Sequence, residues 1–243
     1  WWDGKRPAPP KLDDVWLTES DVVRLVSKTA SGTDVVLSAK AGHNGVSHNH
    51  NDIGHFVVHA GGETLLCDPE KGLYDLYRRH GHDANLFANS IGHSVPKIGD
   101  TPQSKGTEFR GKILSSEIHN GKKQITMELA GAYDGTDLES LKRTLTLEGG
   151  NLALEDRFEF AGESQPIEEA FVTWLDPVID GATARISGER QQLELEILAP
   201  AGATWDVQSY EEESGANKKK GILKRLTFTL PTGTDVARVR LSI

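Results

Sequence analysis

The chain has 243 residues, with 27 Lys and Arg against 36 Asp and Glu for a formal net charge of −9, and with 37% hydrophobic residues, 25 glycines and 10 prolines. This is a turn-rich globular composition, which excludes a fibre or a disordered tail, and no apolar run reaches the ~18–20 residues of a membrane-spanning helix. The acidity excludes a non-specific nucleic-acid binder, since phosphate neutralisation needs a basic patch, and one cysteine, Cys67, excludes an internal disulfide while leaving the compartment open.

The chain opens on Trp1-Trp2-Asp3-Gly4 and its only methionine is Met127, so it reads as a fragment or processed product. Helical periodicity is nearly absent, and short alternating runs recur instead. Strands are expected over residues 21–26 and 34–38, separated by the turn residues Ala30-Ser31-Gly32-Thr33. Residues 55–59 and 63–67 flank Gly61-Gly62, the form of a tight hairpin. The stretch 68–90 is the least strand-like. Residues 113–118 and 124–129 flank His119-Asn120-Gly121, and 141–147 and 152–160 flank Gly149-Gly150-Asn151, both strong hairpin signals. Further strands are expected at 170–174, 183–186, 193–198, 223–230 and 236–241, with 211–220 a charge-rich, solvated turn. About a dozen or more short strands spaced by turns define an all-β fold, a two-layer antiparallel β-sandwich. Sandwiches of ~200–250 residues fold as one domain, so residues 1–243 are expected to form a single domain, with 1–20 an extension or linker.

Polar chemistry concentrates in one place. Eight of the nine histidines lie between His43 and His93, far more than even scatter gives. The centre reads Ser47-His48-Asn49-His50-Asn51-Asp52-Ile53-Gly54 and joins two expected strands, a common way to mount a site on a rigid sheet. In extended chain His48 and His50 point to one face, which leaves open which of them would ligate a metal. Asp68 follows the next hairpin and can return near His50 only if that hairpin is suitably long or offset. His93 follows an irregular excursion. Two imidazoles, one carboxylate and water match an open zinc site, whereas magnesium or calcium would want more oxygens. Cys67 should point away from Asp68 and pack in the core. His43, His55, His59, His80 and His82 read as ordinary surface or core histidines.

The segments Ser47 to Phe56, Leu65-Leu66-Cys67-Asp68-Pro69 and Asn89 to Pro96 resemble, in order and spacing, the heparinase II/III-like polysaccharide lyases, a group that includes oligo-alginate lyases. The resemblance covers residues 35–110 well. It implies an N-terminal α/α toroid packed on a C-terminal β-sandwich, of which this chain looks like the sandwich alone. It further implies a zinc ion held by His50, Asp68 and His93, with His48 facing the substrate cleft. The implied reaction is β-elimination at a uronic acid: the carboxylate must be neutralised, a base must take the C5 proton, and an acid must protonate the leaving oxygen. On this resemblance His48 and Tyr77 are the catalytic candidates, and Asn49, Tyr74 and Arg78 the substrate-binding ones. The principal tyrosine of the family comes from the toroid, so the isolated sandwich is expected to keep its metal and lose most turnover. The implied partners are an acidic polysaccharide or oligosaccharide and the missing toroid, and the implied location is periplasmic or secreted. A charge of −9 repels a polyanion at long range, so a local strip of Lys71, Arg78 and Arg79, or the toroid, would have to offset it.

Two readings of other classes compete. One is a non-catalytic carbohydrate-binding or interface domain, with Trp1, Trp2, Trp16, Trp174 or Trp205 as stacking platforms. The other is a cupin-like metalloenzyme, which would carry a redox-active metal.

Overall fold

The computed structural model describes residues 12–76, 81 and 84–243. Its strands are β1 (Val15–Leu17), β2 (Val22–Lys28), β3 (Asp34–Lys40), β4 (Gly42–Asn44), β5 (Phe56–Ala60), β6 (Glu63–Leu66), β7 (Lys97–Ile98), β8 (Gly106–His119) and β9 (Lys122–Glu128). They continue with β10 (Leu138–Glu148), β11 (Asn151–Phe160), β12 (Ile167–Thr173), β13 (Pro177–Asp180), β14 (Thr183–Ser187), β15 (Gln192–Ala199), β16 (Asp206–Tyr210), β17 (Leu223–Leu230) and β18 (Val236–Ser242). All named pairings are antiparallel, which is the expected fold class.

One layer is a nine-stranded sheet ordered β13-β14-β15-β18-β11-β10-β9-β8-β4. Facing it are a five-stranded sheet, β1-β2-β3-β5-β6, and a four-stranded sheet, β16-β17-β12-β7. The two smaller sheets meet where the Cys67 N–H donates to the Val172 carbonyl (3.0 Å) and the Thr173 hydroxyl donates to the Leu65 carbonyl (2.7 Å). Alternation supplies the core between the layers: Val23 and Leu25 of β2, Val35, Leu37 and Ala39 of β3, and Leu145, Leu147, Leu152 and Leu154 of β10 and β11 all point inward.

Three charged residues occupy inward positions of that pattern. Arg143 (β10) lies directly opposite Asp156 (β11), and Glu169 (β12) reaches them from the facing layer. Arg143 donates to both Asp156 oxygens and to Glu169 at 2.6–3.2 Å, and all three side chains are fully buried. Burial opposes the Arg143 charge, but the two carboxyls outweigh it and hold the guanidinium protonated. Burial, reinforced by Asp156, pushes the Glu169 carboxyl well above its usual range.

The 211–220 segment is not a solvated turn. Glu211–Ala216 forms a short helix, α1, with Glu211, Glu212 and Glu213 in its first turn, where negative charge suits the helix dipole. Ser214 and Asn217 are buried against the rest of the molecule. Among the described residues no helix is long and apolar enough to cross a membrane.

Candidate metal centre and cleft

Three segments meet at one end of the sandwich. The first runs from β4 to β5. The His48–His50 stretch is a turn rather than extended chain, with His48 in the left-handed region (φ 62°) and the Asn49 N–H donating to the Val46 carbonyl at 3.3 Å. Beyond it the loop is strapped down by buried polar groups. Gln103 accepts from the Ile53 N–H (2.9 Å) and donates to the Ile53 carbonyl (2.6 Å). Arg143 donates to the Gly54 carbonyl at 3.0 Å.

The second segment is the end of β6. The β5–β6 register places Val58 opposite Leu66 after a bulge, which carries Asp68 back to the level of Phe56, beside the loop that holds His50 and Asp52. The offset hairpin that Asp68 required is therefore present. Cys67, on the opposite side of the chain, packs with Leu86, Phe87, Val172 and Leu223, and burial raises its thiol pKa.

The third segment is a single 3₁₀ turn, Ser90–Gly92, capped by Asn89, whose Oδ1 accepts from the Ile91 N–H at 2.9 Å. Gly92 is required there, because a Cβ would lie 2.2 Å from the Leu86 carbonyl oxygen. His93 follows. Its neighbour Ser94 donates its N–H to His55 Nδ1 (2.9 Å) and receives Arg143 on its carbonyl (2.7 Å). Arg143 thus ties the His50 loop and the His93 segment to the opposite sheet.

The outcome is a cluster in which His50, Asp52, Asp68 and His93 each offer one ligand atom, all within 4.8 Å of one another. The rings of His50 and His55 lie 5.1 and 5.0 Å from that of His93. His93 is completely buried, and among the described residues neither ring nitrogen has a hydrogen-bond partner. A polar ring is rarely left so without an unseen partner such as an ion. Burial, with His55 and His50 nearby, pushes its pKa well below the usual histidine value, so the ring is neutral and fit to ligate. The donor chemistry of two imidazoles and two carboxylates suits a divalent transition ion. Lys40 donates to Asp52 Oδ1 at 2.7 Å and balances part of the negative charge.

Asp52 is the member that motif reasoning missed. It stands two residues beyond His50, so the spacing argument applied to His48 and His50 reaches it equally. His55, expected to be an ordinary histidine, is buried beside His93, and burial lowers its pKa. His48 lies outside the donor cluster. With Asn49, His50, Lys71, Gly72, Leu73 and Tyr74 it lines a cleft of about 480 Å³. The Asn49 amide donates to the His50 carbonyl at 2.9 Å, and Tyr74 is exposed. Tyr77, Arg78, Arg79, His80 and His82 lie outside the described residues, as do Trp1 and Trp2. Trp205 is a core residue, edge-on to Phe171 and Phe228, and not a platform.

An antiparallel sandwich bearing a His/Asp cluster that shares His50 with a cleft defines a β-rich domain whose donors could hold a metal ion. The chain belongs to the heparinase II/III-like family, whose C-terminal-domain model matches residues 9–229. It is similar in fold to the heparan sulfate lyase HepC from Pedobacter heparinus, at 14% identity and a TM-score of 0.75 over 99% of this chain and 38% of that one. A structure of heparinase III matches at 18% identity and a TM-score of 0.69, over 96% and 37% of the two chains. A heparinase III with methylated lysines matches at 14% and 0.75, over 98% and 36%. The chain therefore spans little more than a third of the length of these structures. No curated protein matches it in sequence.

Proposed function

We propose that this chain is the β-sandwich part of a lyase that cleaves uronic-acid-containing saccharides by β-elimination, with zinc at the His50–Asp52–Asp68–His93 cluster. The observation that carries the reading is the junction of a metal-competent cluster with a cleft: His50 belongs to both, and His48, Asn49 and Tyr74 line the cleft beside it. His50, Asp68 and His93 would hold the ion, with Asp52 as a fourth ligand or as the charge between it and Lys40. When bound, the ion would cross-link the three segments and fix the shape of the cleft.

The chain's own groups divide the remaining work. Elimination requires the uronate carboxylate to be neutralised as charge develops, and Lys71 and the imidazole of His48 are placed for that in the cleft. His48 also serves as the group that moves a proton, with the Tyr74 or Tyr77 hydroxyl as its counterpart and Arg78 on the substrate anion. In this reading the principal tyrosine belongs to a helical toroid, so the sandwich alone binds metal and saccharide but turns over little. An acidic polysaccharide is met outside the cytoplasm, which supports a periplasmic or secreted location.

The test is elemental analysis of the chain beside His50→Ala, followed by elimination assays of the toroid-containing protein. About one zinc per chain, lost in the variant, is expected, together with a fall of roughly 10²–10⁴ in unsaturated-uronate formation for His48→Ala. Iron in place of zinc, or full elimination without His48, would overturn the reading in favour of another metalloenzyme or a binding module.

A further inference from the structure

The segment after α1 is built into the wall of the cleft. The Asn217 side-chain oxygen accepts from the Leu73 N–H at 2.9 Å and from the Asn85 amide at 3.2 Å. Lys219 donates to the Lys71 carbonyl (3.0 Å), pairs with Glu70 (3.3 Å) and sits over the rings of Phe87 and Trp174 at 5.0 and 5.9 Å. The turn itself is closed by the Lys218 and Lys219 N–H groups, which donate to the Gly215 and Ser214 carbonyls at 2.9 Å each. One side of the 70–73 segment faces the His48–Tyr74 cleft. The adjoining Glu70 lines a second hollow of about 530 Å³, together with Trp174, Lys218, Lys219, Lys220 and Gly221.

The charge of this hollow runs against that of the chain. Three lysines face one carboxylate, and that carboxylate, Glu70, is engaged by Lys219. Lys218 and Lys220 are exposed and make no ion pair among the described residues. The Lys218 backbone is held by the turn, and the neighbouring Lys219 is anchored by its own bonds, so less backbone ordering cost remains to be met when an anion binds. Trp174, stacked on Phe87 at 6.0 Å, gives the hollow an apolar wall. Local positive charge beside an apolar aromatic surface suits a sugar ring that carries an acidic substituent.

We infer that Lys218 and Lys220 form an anion subsite for a saccharide that leaves the His48–Tyr74 cleft and crosses the Glu70–Lys71 wall, the subsite taking a carboxylate or sulfate one or more sugar units from the reacting centre. This rests on the lyase reading above and adds a site to it. It also answers the net charge of −9: the positive surface is local, and it comes from a segment in which Lys219 lies 148 residues from Lys71 of the cleft in sequence.

The experiment measures affinity of the chain for a heparan-sulfate-derived oligosaccharide and for its desulfated counterpart across a range of salt. Wild type, the Lys218→Ala/Lys220→Ala double variant and His48→Ala are compared, with zinc content as the check on folding. The double variant is expected to bind at least tenfold more weakly with unchanged zinc, and to lower the salt dependence by about two released counterions. Loss confined to the sulfated ligand assigns the subsite to sulfate; equal loss with both assigns it to carboxylate. Unchanged affinity and salt slope in the double variant, with His48→Ala weakened, overturns the subsite and leaves the lyase reading standing. A wild type that binds neither ligand overturns both.

Discussion

The hairpin ladder β8–β11 and the segment from His43 to His93 solve the same problem, holding a chain in one register, by opposite means. In the ladder the β8–β9 and β10–β11 turns are each set by their own two residues: Asn120 and Gly121 have φ 50° and 81°, and Gly149 and Gly150 have φ 54° and 82°, the paired positive angles of a tight hairpin. In the site segment the bonds come from far away. Gln103 clamps Ile53 from 50 residues off, Arg143 reaches Gly54 over 89, and Asn217 holds Leu73 over 144. Local turn chemistry builds the scaffold, whereas the His/Asp cluster depends on buried polar groups contributed by distant parts of the chain.

The sharpest way to break that contrast is Arg143→Met. The substitution leaves Asp156 and Glu169 buried without their cation and deprives the Gly54 and Ser94 carbonyls of a donor. Removing one partner of a buried ion pair costs about 3–5 kcal/mol, so a large drop in the denaturant midpoint is expected, with weaker retention of any metal at the cluster. The hairpin turns should survive it, which hydrogen exchange at β9–β11 amides would show. A loss below ~1 kcal/mol with wild-type metal content would mean that the site loops stand without the cross-layer contact.

The same contrast explains what could be read from sequence. Thirteen strands carry clear alternation bounded by turn residues, and each of them forms. The five strands that alternation does not reveal, β1, β4, β7, β13 and β16, are five of the six sheet edges. An edge strand pairs on one side only and is kept short; β7 has two residues and β1 and β4 three each, too few to display a period. For the site, histidine clustering marked the region, the family resemblance picked out His50, Asp68 and His93 within it, and Asp52 went unread. Gln103 carries no local signal at all. Arg143, Asp156 and Glu169 did leave one, because each sits where the apolar alternation of its strand calls for a hydrophobic residue. An inward charge in three separate strands is a sign of a buried network that pattern reading can use.

A second test asks whether that network is stable because it is charged or because it is hydrogen-bonded. The folded Glu169 carboxyl has its pKa raised well above the ordinary 4.5, chiefly by burial and then by Asp156. The folded state therefore holds a proton that the unfolded state releases. This contribution is full below about pH 4.5 and is lost as pH rises through the folded value. Glu169→Gln keeps the shape and an acceptor for Arg143 but has no proton to lose. Urea midpoints measured from pH 5 to pH 9 should coincide for the two proteins at the acid end and separate in favour of the variant at the alkaline end. Parallel curves would show that Glu169 is ionised in the fold.

The smallest expected effect belongs to the local side of the comparison. Gly149 has φ 54° and open space where a Cβ would go, so alanine there meets no neighbour and costs only backbone strain, about 1 kcal/mol. Asparagine, which tolerates the left-handed region, should cost less. Both variants should keep the metal content and any saccharide affinity found for wild type, because among the described residues no contact of this turn reaches the cluster. If Gly149→Ala instead lowered the metal content, the hairpin ladder would be coupled to the site through β10, the strand that carries Arg143. Local and remote encoding would then be two ends of one cooperative unit.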